Sequence, residues 1–398
     1  MRGFVIMIVV VGALVVLAGL YALLPRDEDT PDNQHNPVAA LATASADGGA
    51  RSTNGGTAVA ELPESQVAAT LAPEQSSAAE NVPLPAVAQP GLVSPIGPLG
   101  LVQEYYSETY TFGNVTVAWR PGAFDPSIAQ SIAAMAEHGT AKVNAFLGTD
   151  DTTPITVYLA DQMFNDDCRG CQGFAASDLH QVFVLQDGSV AMDELQGLIT
   201  HEIAHVIAGN HIALPNSLFF AEGFATYLMD DDVQAAGYIT SIQSAAWAYQ
   251  AGVLPTLAFL RDDATYEGRV RRRLEYDAAG SFSRFVVDTY GVEAYSELYR
   301  TRVPEQILGV DWQELEQQWH AYLQPYATAV INGVDGPTWW NVAQNVALGF
   351  GALYDNPEAA SVEDYGALTV ARLALYRLDL PTAIRYANQS NLAPKTAT

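Results

Sequence analysis

The chain has 398 residues and a formal net charge of −27, with 45 acidic against 18 basic residues. So acidic a surface repels phosphate backbones and excludes nucleic acid as a partner. With 49% apolar and 10% aromatic residues, a sizeable core can be buried.

Phe4 to Leu24 run for 21 residues without a charge, the length of a helix that spans a bilayer. Arg2 precedes this stretch and "RDEDTPD" follows it, an asymmetry that keeps the start cytoplasmic and sends the remainder outside. Residues 1–25 are therefore expected to form a transmembrane signal-anchor. A cleaved signal peptide would deliver the chain to the same extracytoplasmic side. Residues 26–100 are expected to be a disordered stalk. Nine prolines fall between 27 and 100, and no aromatic residue lies between Tyr21 and Tyr105. Such a segment cannot bury enough apolar surface to order itself.

Folding is expected from residue 101. "ETYTFGNVTVAWRPG" (108–122) has strand composition around a turn at Gly113 and Asn114, and "PSIAQSIAAMAEHGTAKVNAFLG" (126–148) has helical spacing. "ITVYLA" (155–160) and "QVFVL" (181–185) read as short strands. "HQVFVL" is a candidate edge strand along which an extended peptide could pair. From Pro215 to Asp288 the pattern is helical with breaks. "NGVDGP" (332–337) reads as a linker into a helical tail, 331–398. Within that tail, residues 366–394 resemble one tetratricopeptide-like hairpin, or a helical hairpin packed on the main domain. Strands followed by helices indicate an α+β fold.

The chemistry is concentrated in "HEIAHVIAGNHIALPNSLFFAEGFATYL" (201–228). Residues four apart lie one helical turn above each other, so His201 and His205 can share one tetrahedral Zn2+, with Glu202 beside it to take a proton from water. Two residues can complete the ligand set. His211 stands at the spacing of the metzincin pattern HExxHxxGxxH, but the required glycine is replaced by Ala208 and Gly209 follows it. Glu222 lies in a second helical pattern that can return against the first.

"HEIAH" followed by "LPNSLFFAEGFATYL" resembles the peptidase MA-like gluzincins, distant relatives of aminopeptidase N and thermolysin. "YDAAGSFSRFVVDTYG" (276–291) and "ILGVDWQELEQQWHAYL" (307–323) are similar to that family's later helices. The resemblance covers about residues 105–325, within an expected metallopeptidase domain of residues 101–330. It implies a small N-terminal mixed sheet, an active-site helix and a mostly helical C-terminal part. It also implies one zinc per chain on His201, His205 and Glu222, with Glu202 as general base and Tyr276 as donor to the oxyanion. The chain departs from thermolysin-like enzymes at Thr226, where they carry an aspartate, and it lacks the aminopeptidase Gly-x-Met-Glu-Asn segment.

Remaining polar clusters are expected to be structural. Cys168 and Cys171 suit a short loop staple. Arg261, Arg269, Arg271, Arg272 and Arg273 are expected to balance nearby acids, or else to hold a substrate carboxylate. Asp230, Asp231 and Asp232 read as a solvated helix end, and His138, His180 and His320 as isolated structural histidines. The expected activity is hydrolysis of a peptide or protein substrate by a membrane-anchored zinc peptidase. Its alternatives are a metzincin using His211 and a zinc-stabilised, non-catalytic binding module.

Overall fold

Gly113 adopts φ +56° and turns Glu108–Phe112 (β1) back onto Val115–Trp119 (β2) as an antiparallel hairpin. Such positive φ costs glycine little because it has no Cβ. The computed structural model describes residues 105–160, 172–186, 192–213, 217–262, 272–355 and 361–395. The expected membrane segment and stalk, together with Cys168, Cys171, Arg269 and Arg271, lie outside the described residues. Among the described residues, no helix is long and apolar enough to cross a membrane.

After β2 the chain forms helix Pro126–Leu147 (α1). It opens with Asp125 accepting from the Ser127 N–H at 2.8 Å and with proline at its first position, and ends at Gly148 with φ +66°. Ile155–Ala160 (β3) then runs parallel to β2. Gly173–Ala176 (β4) and Gln181–Leu185 (β5) follow, with β5 parallel to β3 and antiparallel to β4. The mixed sheet has the order β1-β2-β3-β5-β4.

This order corrects the expectation that "HQVFVL" is an edge. β5 is an inner strand, and the outer strand beside it is β4, whose sequence "GFAA" carries little strand propensity. Both faces of the sheet are covered. Val117, Val157, Val182 and Val184 pack on the helices. Phe174, Phe183 and Tyr158 stack in sequence on the other face, with ring centroids 4.6 and 4.8 Å apart.

The remaining elements are helical: Met192–His211 (α2), Leu218–Ala235 (α3), Ser241–Gln250 (α4), Arg272–Tyr290 (α5), Val292–Thr301 (α6), Trp312–Ala327 (α7), Gly336–Asp355 (α8), Val362–Tyr376 (α9) and Leu380–Gln389 (α10). The architecture is α+β. α2 packs against α1 on one side and α3 on the other, and α5 packs along α3. The α3–α5 contact depends on small residues. A Cβ at Gly223 would stand 2.7 Å from the Ala279 carbonyl oxygen, closer than any side chain can come.

"NGVDGP" is a tight turn rather than a linker. Ile331 and Val334 form a bridge across Asn332 and Gly333, both at positive φ. The helices that follow share a core with α4, where Trp247 and Trp339 lie 5.7 Å apart. α9 and α10 form one hairpin, tied by Asp364, which caps α9 through Ser361 and accepts from Ser390 and Asn391.

Candidate metal centre

Between Leu198 and Ala208 the residues that keep some exposure are Leu198, His201 and His205, while the rest of that stretch of α2 is buried. They lie on one face, as helical periodicity requires. α3 crosses this face and brings Glu222 to it. His201 Nε2 and His205 Nε2 are 3.2 Å apart, and Glu222 Oε2 stands 3.1 Å from the first and 3.4 Å from the second. Zinc binds nitrogen and oxygen at about 2.0–2.1 Å, so the edges of its coordination tetrahedron are about 3.3 Å. The three ligand atoms are therefore spaced as neighbouring corners of such a tetrahedron. Among the described residues this is the group of histidine and acidic side chains able to hold a metal ion.

The electrostatics agree with the spacing. Burial alone would raise the Glu222 carboxyl, but the facing His205 and His201 imidazoles override it and hold the group far below the usual carboxylate range. Burial alone would lower His205, yet Glu222 and then Glu202 draw it upward. The site therefore has a negative potential at the ring nitrogens, which favours a bound cation.

Glu202 is 4% exposed and points away from the solvent side of α2. Its carboxylate lies under the edge strand. A Cβ at Gly173 would be 2.9 Å from Glu202 Oε1 and 3.1 Å from the Phe183 carbonyl oxygen. The first residue of β4 must therefore be glycine for Glu202 to occupy its position. Tyr276, near the start of α5, approaches from the other side, its ring 6.3 Å from that of His201 in an edge-on arrangement. His201, Glu202, His205, Glu222 and Tyr276 are thus gathered at one place by α2, α3 and α5.

His211 is directed elsewhere. Gly209 does not end α2, which continues through Asn210 to His211. Both of those side chains bind Asp151 Oδ2, at 2.9 and 3.0 Å. With Thr153 they hold the Asp151 carboxyl low against the opposing effect of its burial. His211 thus anchors the end of α2 to the loop before β3.

The three consecutive aspartates were expected in solvent, and that expectation is corrected. Only Asp231 is exposed, at 81% of its side chain. Asp230 is buried and accepts two hydrogen bonds from Ser241. Asp232 accepts from Thr200 at 2.7 Å and Lys142 at 3.2 Å, and meets His138 at 3.3 Å, which ties α3 to α1 and to the residue preceding His201. Successive helix positions turn by about 100°, so three adjacent residues face three environments.

Thr226 is fully buried at the α3–α5 crossing, and a Cβ at Gly280 would lie 2.7 Å from its methyl. Arg261 lies over the Trp312 ring at 3.9 Å, a packing role. His180 binds Asn210, and His320 stacks against Tyr249 and Trp319. The sequence matches no family model and no curated protein.

Proposed function

We propose that the chain is a zinc-dependent peptidase of the gluzincin kind, anchored by its N-terminal segment with the catalytic part outside the cytoplasm. The observation that carries this reading is the triangle of His201, His205 and Glu222 with a buried carboxylate, Glu202, on the same helix beside it. A purely structural zinc site has no use for such a base.

Held by the three ligands, zinc would supply Lewis-acid chemistry: a more acidic water and a polarised scissile carbonyl. Glu202 takes the proton from the attacking water and passes it to the leaving amine. The Tyr276 hydroxyl donates a hydrogen bond to the oxygen that gains negative charge. Among the described residues β4 is an outer strand of the sheet, with Gly173 against Glu202, and an extended peptide laid along this side of the sheet would pass beside the general base.

Replacing Glu202 by glutamine tests this reading, because the volume is kept while proton acceptance is lost. Zinc content is expected to stay unchanged and hydrolysis of a peptide library to fall by at least about 100-fold. Unchanged hydrolysis removes Glu202 from the mechanism. Zinc binding with no Glu202-dependent cleavage of any peptide favours the binding module.

A further inference from the structure

Between Leu274 and Ser283, Tyr276 is the one residue that keeps some exposure, while its neighbour Asp277 is fully buried. Successive helix positions turn by about 100°, so the two side chains leave α5 on different sides. Both lie near the start of that helix, where the first N–H groups have no intrahelical partner and tertiary contacts must fix the backbone.

Asp277 Oδ2 accepts two hydrogen bonds, from the Ser244 hydroxyl of α4 at 2.7 Å and from the Tyr376 hydroxyl at the end of α9 at 3.0 Å. Both donors are themselves held. Ser244 is fully buried in α4. The Tyr376 carbonyl accepts from the Ile239 N–H at 2.9 Å, and its ring meets that of Trp339 edge-on at 5.8 Å. The Trp339 indole N–H donates to the Leu375 carbonyl at 3.1 Å. Next in the chain, Arg377 pairs with Asp193 in the first turn of α2. Tyr376 thus reaches α5 from a frame that is also tied to the helix of His201 and His205.

The α3–α5 contact rests on Gly223 and Gly280, where a Cβ would stand 2.7 Å from the Ala279 carbonyl oxygen and from the Thr226 methyl respectively. Such small residues bring two helices close but set rotation about the helix axis weakly, because apolar contact is non-directional. Hydrogen bonds to a carboxylate are directional.

We propose that Asp277 is a positioning residue: held by Ser244 and Tyr376, it sets the rotation of α5 and so the direction in which the Tyr276 hydroxyl meets the metal centre. The C-terminal helices thereby act on the reaction through Tyr376 without touching the substrate. An apolar residue at 277 would avoid the desolvation of a buried carboxylate, so the contribution of Asp277 is direction rather than net stability. This proposal rests on the peptidase reading for the role of Tyr276, but the placement of Tyr276 can be read without turnover. A misplacement of about 1 Å in a reacting geometry costs about 100-fold in rate, and loss of one of the two bonds to the anchor is expected to cost about ten-fold.

The test uses the full-length, zinc-loaded chain with Tyr376→Phe, which removes only the hydroxyl, alone and combined with Tyr276→Phe. Ser244→Ala, which breaks the other bond without altering α9, takes its place if Tyr376→Phe lowers the melting temperature. With the single variant, kcat for a cleaved peptide is expected to fall about ten-fold while KM and zinc content stay unchanged. In the Tyr276→Phe background the same change is expected to alter kcat by less than about two-fold, since the group it places is gone. A second readout is the fluorine NMR signal of the chain carrying fluorotyrosine at position 276, which is expected to shift in the variant. Equal losses of kcat in both backgrounds, or none in either, would reduce the contact to a structural one and overturn the proposal. An unmoved fluorine signal overturns it whether or not any peptide is cleaved. If no peptide is cleaved and the signal moves, the peptidase reading fails while the placement of Tyr276 by Asp277 stands.

Discussion

Replacing Asp230 by asparagine should stabilise the protein increasingly as pH rises. Asp230 is 1% exposed, with Oδ1 accepting from the Ser241 N–H at 2.7 Å and Oδ2 from its hydroxyl at 2.6 Å. Burial drives its pKa up from 3.8 to about 7, with the Asp277 charge adding to the rise while the Ser241 bonds and Arg284 oppose it. A folded pKa above the unfolded one gives stability that is fully present below pH 3.8 and is lost as pH rises through 7. The whole displacement corresponds to about 4 kcal/mol, of which about 3 kcal/mol falls between pH 5 and pH 8. Asparagine has no proton to lose, and its amide can still meet both Ser241 groups. The stability of Asp230→Asn relative to wild type is therefore expected to rise by about 3 kcal/mol across that range, or roughly 5–10 °C in melting temperature. Both proteins should be melted with a chelator present, since metal binding carries its own pH dependence. Curves that run parallel from pH 5 to pH 8 would refute the assignment of this carboxyl.

Two further perturbations address how the site is held. Gly173→Val places a branched side chain against Glu202 Oε1 and the Phe183 carbonyl. Peptide hydrolysis is expected to fall about ten-fold or more with zinc content retained, as general-base catalysis depends on geometry; equal kcat/KM in the two proteins would contradict the contact. Asp232→Ala removes the hydrogen bonds from Lys142 and Thr200, leaving Lys142 only its 3.8 Å approach to the exposed Asp231, and urea unfolding is expected to show a loss of about 2–3 kcal/mol. Asp231→Ala, at an exposed position, is expected to change stability by less than about 0.5 kcal/mol, and equal effects of the two would contradict the difference in burial.

What could be read from the sequence was local. Alternating β-branched residues mark β2, β3 and β5, and the HEIAH spacing on an uncharged helix marks α2. The apolar run around Glu222 marks a helix able to return. β4 escaped notice because "GFAA" becomes a strand only by pairing with β5. The split among Asp230, Asp231 and Asp232 depends on which helices flank α3, and no single-residue propensity encodes that. The ion pair between Arg372 and Glu194 joins residues 178 positions apart, so the docking of α9 on α2 has no sequence signal. His211 shows the reverse case, a residue at suggestive spacing whose helix does not break where the motif requires it.

The central claim is the ligand set, and metal content tests it most directly. Zinc bound per chain should be measured for the wild type, Glu222→Ala and His211→Ala after identical loading and dialysis. About one zinc per chain is expected in the wild type and in His211→Ala, whose imidazole serves Asp151. Glu222→Ala is expected to lose most of its zinc, because two histidines leave the ion short of its usual three protein ligands. Zinc retained by Glu222→Ala and lost from His211→Ala would contradict the account, and with it the roles given to Glu222 and Tyr276.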